Sequence, residues 1–186
     1  MTVTDDNGCT ITDSIEVPAA SIIDLTLDAP NSTLSVLCNG FQSDTITVNA
    51  TGGTGVGTYQ YYIPGVFPIP QYNNVFSGLY AGTYPIVAVD ANGCSDTINV
   101  TISEPDVIYF SATSSDVSCN SGSNGFAWVD SVSGGNPPYF YSWNTGQTFP
   151  SISGLTAGTY TVSVTDQNNC ASNPQSVSSS NNPATS

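Results

Sequence analysis

The side chains of this sequence that can do chemistry are of two kinds. Five cysteines, at positions 9, 38, 94, 119 and 170, offer thiols for a disulfide, a metal or a nucleophilic site. Fourteen carboxylates, twelve Asp and two Glu, offer acid–base pairs or oxygen ligands. The 186 residues contain no lysine, arginine or histidine, so the formal net charge is −14. Without His or Lys, general acid–base work by those side chains is excluded, and so is any Ser/His/Asp or Cys/His nucleophile pair. A zinc site would have neither imidazole nor a Cys-x-x-Cys pair. With nothing to neutralise phosphate, nucleic-acid binding is excluded, and anionic membrane surfaces are repelled. Catalysis by carboxylates alone needs a converging pair, one of them with a raised pKa. The candidates Asp5, Asp6, Asp90 and Asp166 instead recur at one turn position, where Asp serves through its own side-chain hydrogen bonds. The sequence is therefore read as non-enzymatic.

The elements that position these residues are strands. Val, Ile, Tyr and Phe supply the apolar content, Ser, Thr and Asn the polar content, and 17 Gly with 12 Pro the turns. No apolar run is long enough for a membrane-spanning helix, and direct membrane insertion is not expected. The first residues lack the basic and apolar segments of a signal peptide. They read as mid-strand followed by a hairpin turn, as in a piece of a longer chain.

The sequence repeats itself. Val3-Thr-Asp-Asp-Asn-Gly-Cys9 returns as Val89-Asp-Ala-Asn-Gly-Cys94 and as Val164-Thr-Asp-Gln-Asn-Asn-Cys170. Gly78-Leu-Tyr-Ala-Gly-Thr-Tyr84 returns as Gly154-Leu-Thr-Ala-Gly-Thr-Tyr160, and Leu37-Cys38-Asn39 as Ser118-Cys119-Asn120. Gly52-Gly53 before Tyr59 matches Gly134-Gly135 before Tyr139. The spacing divides the chain into the C-terminal strands of a preceding repeat (1–20), a whole repeat (21–104), a second repeat (105–180) and a tail or linker (181–186). Strands are predicted at 23–27, 45–51, 59–63, 84–89 and 97–102, then at 107–112, 126–132, 139–143, 159–164 and 175–177. Several alternate apolar and polar residues, as half-buried strands do. The expected fold is all-β: tandem Ig-like β-sandwich repeats of about 80 residues each. The linker Ser103-Glu-Pro-Asp106 is short and stiffened by proline, so the repeats are expected to form a rod.

Each whole repeat has an early and a late cysteine. The simplest pairing is within repeats, Cys38 with Cys94 and Cys119 with Cys170, leaving Cys9 with a partner outside the fragment. Such loops are worth about 4 kcal/mol each in the chain-entropy model. Disulfides imply an oxidising compartment and hence export.

The order Cys119-Asn, Gly134-Gly-Asn-Pro-Pro-Tyr-Phe-Tyr-Ser-Trp-Asn-Thr-Gly146 and Ile152-Ser-Gly-Leu-Thr-Ala-Gly-Thr-Tyr through Asn169-Cys170 closely resembles the SprB-type repeat of long surface adhesins of gliding Bacteroidetes. The resemblance implies export by type IX secretion, display on the outer cell surface, and a part in adhesion or gliding as one of many tandem modules. The middle repeat departs from the pattern at Tyr61-Tyr-Ile-Pro-Gly-Val-Phe-Pro-Ile-Pro-Gln-Tyr72, and the Pro-rich apolar stretch from Tyr59 to Tyr72 is read as replacing a regular hairpin and as a partner-binding departure.

Four segments, Asp13-Ser14-Ile15, Asp44-Thr45-Ile46, Asp96-Thr97-Ile98 and Asp130-Ser131-Val132, look like the O-glycosylation signal of Bacteroidetes. They make Ser14, Thr45, Thr97 and Ser131 candidate glycoprotein sites. The Asn-x-Thr sites at Asn31, Asn49 and Asn99 would matter only in a eukaryotic secretory route. Trp128, Tyr139, Tyr141 and Trp143 are candidates for a sugar-stacking platform, with core packing the commoner use of such residues. Tyr61, Tyr62 and Trp143 are the ligand-contact candidates. No cofactor is required; calcium at the junction acids Glu16, Glu104 and Asp106 and the turn aspartates is the charged alternative. The expected function is a disulfide-stapled stalk in a cell-surface adhesin, whose partners are neighbouring repeats, surface polysaccharide or other copies of itself. The alternatives are a glycan-binding module, or a filament subunit assembled by strand exchange.

Overall fold

A computed structural model of the chain describes residues 2–14, 21–43, 45–53, 58–118 and 122–181. Cys119, Glu16 and Asp44 lie outside them. By the density of its contacts the chain falls into two compact units, Met1–Leu27, Val48–Asn74 and Pro85–Asn99 forming one, and Asp28–Thr47, Val75–Tyr84 and Val100–Ser186 the other.

The first unit begins with an antiparallel hairpin, β1 (Thr2–Thr4) and β2 (Thr10–Thr12), whose residues are all exposed. Strand β3 (Ile23–Leu27) pairs antiparallel with residues 48–52 of β4 (Ile46–Gly52). Strand β5 (Gln60–Ile63) lies between β6 (Phe67–Gln71) and residues 85–89 of β8 (Gly82–Val89). Residues 95–99 of β9 (Ser95–Ile102) complete that sheet. Ile23, Leu25, Val48, Tyr61, Ile63, Ile86 and Ala88 are buried, at the alternate positions that a strand turns to one face.

The departure at 61–72 forms a hairpin after all, which corrects the expectation that a regular hairpin is replaced there. Pro64 and Gly65, the latter at φ 80°, make the turn, and Tyr61 and Ile63 register with Gln71 and Phe67. Prolines are tolerated because β6 is the edge of the sheet order β6-β5-β8-β9. Pro68 and Pro70 fall between the residues that β5 takes as partners, so this edge lacks two of the donors that a further strand would need.

The second unit contains a 3-10 turn (Ala29–Asn31), Ile46 and Thr47 of β4 paired with β7 (Val75–Phe76), and the ends of β8 and β9. It also holds a complete sandwich. One sheet runs β10 (Tyr109–Ser115), β11 (Gly125–Ser133), β13 (Ser151–Leu155); the other runs β12 (Phe140–Trp143), β14 (Gly158–Thr165), β15 (Gln175–Ser179). All pairings are antiparallel. Between the sheets Ile108, Phe110, Ala127, Trp143, Ile152, Leu155, Tyr160, Val162 and Val164 form one core. The six strands of this sandwich pair first-second-fourth and third-fifth-sixth, and the orders β3-β4-β7 and β5-β8-β9 are the same once the edge strand β6 is set aside, the A-B-E and C-F-G pairings of an Ig-type sandwich. The fold is thus all-β and Ig-like.

Two repeated sequence features have identical structural causes. The hydroxyls of Tyr84 and Tyr160 donate to the carbonyls of Tyr80 and Thr156, four residues upstream, at 2.9 and 2.7 Å, the tyrosine corner of such sandwiches. In each Gly-Gly pair the first glycine abuts the backbone just before the first strand of its repeat. A Cβ on Gly52 would lie 2.1 Å from the Ile22 carbonyl oxygen, and one on Gly134 2.0 Å from that of Val107. The second glycine faces the turn aspartate: a Cβ on Gly53 or Gly135 would come within 2.8 or 3.0 Å of an Asp90 or Asp166 carboxylate oxygen.

Candidate functional site

The chemistry-bearing residues that the fold brings together are Cys38, Cys170, Asp166 and the Ser103–Asp106 segment, all within the second unit. Val164 and Thr165 end β14, and the chain turns back through Asp166-Gln-Asn-Asn-Cys170. Asp166 is fully buried. One of its carboxylate oxygens accepts the amides of Asn168 (2.8 Å) and Cys170 (3.0 Å); the other accepts the amide of Asn136 (2.8 Å). Burial alone pushes the carboxyl pKa up, but the donors Asn136, Cys170 and Asn168 outweigh it and hold it below its ordinary value. Asn169 takes φ 61°, where the matching turns carry Gly8 and Gly93; Asn tolerates that conformation better than most side chains.

Because the folded pKa is depressed, the contribution of the charged Asp166 is fully present above the ordinary value of 3.8 and is lost as pH falls through the lower folded value. Thermal melts of the native chain should therefore drop below about pH 4, and Asp166→Asn should remove part of that acid dependence. At neutral pH the same variant should cost about 1–3 kcal/mol, since an amide presents a donor where the backbone offers donors. An unchanged acid limb in Asp166→Asn would show that this carboxylate does not organise the turn.

The turn delivers Cys170 to Cys38, and the two form a disulfide with Cα atoms 5.5 Å apart across a sequence separation of 132. This corrects the pairing expected within repeats: Cys38 is not joined to Cys94, which is exposed and free, as is Cys9. Cys170 is likewise taken by Cys38 rather than by Cys119. The physical reason lies in where the Cys38 loop is tied. Ser35 bridges Ser103 in parallel, with Val36 N–H donating to Ser103 O (3.0 Å) and Ser103 N–H to Leu34 O (2.9 Å). Gly40 N–H donates to the Glu104 carboxylate (2.6 Å) and the Asn39 amide to Pro105 O (3.0 Å). The early-cysteine loop is thereby bound to the connecting segment. From the other side Gly135 N–H donates to Asp106 O (2.8 Å). A cleft of about 350 Å³ lies beside the disulfide, lined by Cys38, Phe41, Pro105, Val107, Ile108 and Cys170 among others.

The remaining candidates separate. Trp143 is only 3% exposed, and its indole N–H donates to Phe149 O (2.9 Å). It is a core residue, not a ligand platform. Tyr61 is buried, and burial raises its phenol above the ordinary value; Tyr62 is half-buried. Tyr139 spends its hydroxyl on Gly134 O (2.7 Å), as Tyr59 does on Gly52 O (2.6 Å). Of the four aromatics named for stacking, Trp128 alone pairs with an exposed ring, Phe126, at a centroid distance of 5.3 Å. The Trp128 indole donates to Asp130, which also accepts from Thr113. Sequence reading missed Phe126, whose signal was its place two residues before Trp128 on one strand face. Ser14, Thr97 and Ser131 are exposed and Thr45 is half-buried. Glu104 is engaged by the Gly40 amide, and among the described residues no group of three or more acids or cysteines is disposed to hold a metal ion.

Among curated proteins none matches the chain. Among solved structures it is similar to three N-terminal domains of the highly immunogenic outer capsid protein of bacteriophage RB49, at 16% identity and a TM-score of 0.44, over 87% of this chain and 58% of that one. It is also similar to the fibronectin(III)-like modules of Clostridium thermocellum CbhA (18% identity, TM-score 0.32, 87% and 95% covered). A third likeness is to domains 1–6 of the surface layer protein SbsC (16%, TM-score 0.44, 97% and 30%). The chain thus spans just over half the length of the first of these. Residues 111–148, from β10 to the turn after β12, match the family model of the SprB repeat.

Proposed function

We propose that the chain is a structural repeat segment of a cell-surface protein, acting as a disulfide-stapled stalk of an adhesin. The observation that carries this reading is the Cys38–Cys170 bond, which joins the early loop of one sequence repeat to the late turn of the next. A crosslink placed there does not serve the core of either repeat; it resists their separation. The match of residues 111–148 to the SprB repeat supports surface display, and the disulfide supports an oxidising, extracellular setting. Secretion by the type IX route and a part in gliding belong to the same reading. The filament alternative is disfavoured at one edge, since Pro68 and Pro70 interrupt the donors of β6.

Electron imaging of native surface material, before and after reduction, tests the reading. Unbranched rods of one fixed length, beaded at one sandwich per bead and loosening on reduction, are the expected result. Fibres of variable and much greater length would replace the stalk with a structural filament assembled between chains.

A further inference from the structure

Three cysteines occupy one and the same turn. The amides of Cys9, Cys94 and Cys170 each donate to the Oδ1 atom of the aspartate four residues earlier, at 2.8, 2.8 and 3.0 Å. Each is preceded by a residue of positive φ: 83° at Gly8, 84° at Gly93 and 61° at Asn169. Of the three only Cys170 is bonded, and its partner is the early cysteine of the repeat before its own. The early loops are also built alike. Val117 bridges Asn181 in parallel as Ser35 bridges Ser103. Val117 N–H donates to Ser180 O at 3.0 Å, as Val36 N–H does to Ser103 O at 3.0 Å. The segment leading to Cys119 therefore runs along the end of its own repeat just as the segment leading to Cys38 does.

We propose that Cys38–Cys170 is one instance of a general rule, in which the early cysteine of each repeat is bonded to the late cysteine of the following repeat. Exposed Cys94 is then a docking point for the Cys-Asn loop of a repeat placed before this one, and Cys119 a donor to the late turn of a repeat placed after. The occupant is fixed by the bond already present: the same loop, carrying the same Cys-Asn pair, seated on the same aspartate turn. Chemically, two thiols lose two protons and two electrons to a small-molecule disulfide such as oxidised glutathione, which leaves as two thiols, by exchange through a mixed disulfide. The rule rests on the tandem reading of the repeats and adds to it a specific pairing partner.

Two measurements separate the rule from that reading. In the 186-residue chain, thiol titration under denaturing conditions should give three free thiols and one linked pair, Cys38–Cys170. One free thiol, with Cys38 joined to Cys94, would remove the tandem staple itself. In a doubled chain, residues 21–180 followed directly by residues 21–186, refolded in a glutathione redox buffer, blocked and digested, mass spectrometry should find one new linked pair. That pair joins Cys119 of the first copy to Cys94 of the second, and Cys119→Ser in the first copy should free Cys94 of the second and no other cysteine. Recovery of the second Cys94 in alkylated form while both Cys38–Cys170 pairs are present overturns the rule. A link from Cys94 to another molecule does so as well.

Discussion

Stretched between its ends in oxidising buffer, the chain should extend to no more than about 190 Å, because the 132-residue span between Cys38 and Cys170 is short-circuited by the disulfide. With reductant present, the fully unfolded chain should reach about 630 Å at the same contour length per residue. Single-molecule force extension reads both lengths directly. The hidden length should be released in one step of about 450 Å when the bond is reduced under load. Two smaller steps would be the mark of separate disulfides within each repeat, and would contradict the Cys38–Cys170 pairing. Reduction should also lower equilibrium stability. A loop of this length is worth about 5 kcal/mol in the chain-entropy model, comparable with the whole stability of many domains. The sequence has no cationic side chain with which to compensate.

The second large effect belongs to Trp143. Its ring lies in the core with Phe110, Ile152 and Val162, and its N–H is used on Phe149 O. Trp143→Ala should therefore cost about 3–5 kcal/mol in a denaturant melt, through lost burial and the cavity left behind. Trp128→Ala, on a half-buried ring, should cost about 1 kcal/mol. The contrast has a functional use. A polysaccharide-binding assay on Trp143→Ala would report unfolding, whereas Trp128→Ala tests the outward pair of rings Phe126 and Trp128, whose planes are tilted by 33°. Equal and small losses of stability in the two variants would show that Trp143 does not fill the core.

The strands that were legible in the sequence are those that alternate, such as Thr159-Tyr-Thr-Val-Ser-Val164, with buried Tyr160, Val162 and Val164 on one face. Those that were missed lack that signal. Strand β7 is two residues long, β13 carries Gly154, and β6 carries two prolines that only an edge position permits. The Gly-Gly pairs and the recurring tyrosines are legible as repeats, although their causes, a carbonyl that would stand 2.0 Å from any added Cβ and a hydroxyl reaching upstream, are visible only in space. The cysteine pairing was misread for a physical reason. Repetition shows which cysteines are equivalent but not which repeat supplies the partner. That choice is made by Glu104 and Pro105, which hold the Asn39–Gly40 loop on the connecting segment, against the next repeat's turn rather than its own. The aromatics divide similarly: Tyr61 and Trp143 have the types of ligand contacts, and burial takes them away from that role, while the half-buried Tyr139 of the sugar-platform set has its hydroxyl committed to Gly134 O.

A bond that spans the repeat boundary also decides what a protease can do. A single cut anywhere between Cys38 and Cys170 leaves the two ends of the chain covalently joined. Under the proposed pairing rule consecutive loops overlap, since Cys94 lies beyond Cys38 and Cys170 beyond Cys119. Every peptide bond of an extended array would then lie inside at least one closed ring. Severing such an array by proteolysis alone would take three cuts, one on each side of an early cysteine and one beyond the late cysteine that follows it; otherwise it takes cleavage plus reduction. With no lysine or arginine for trypsin-like enzymes to recognise, such an array would survive nicking that would shed an ordinary string of domains.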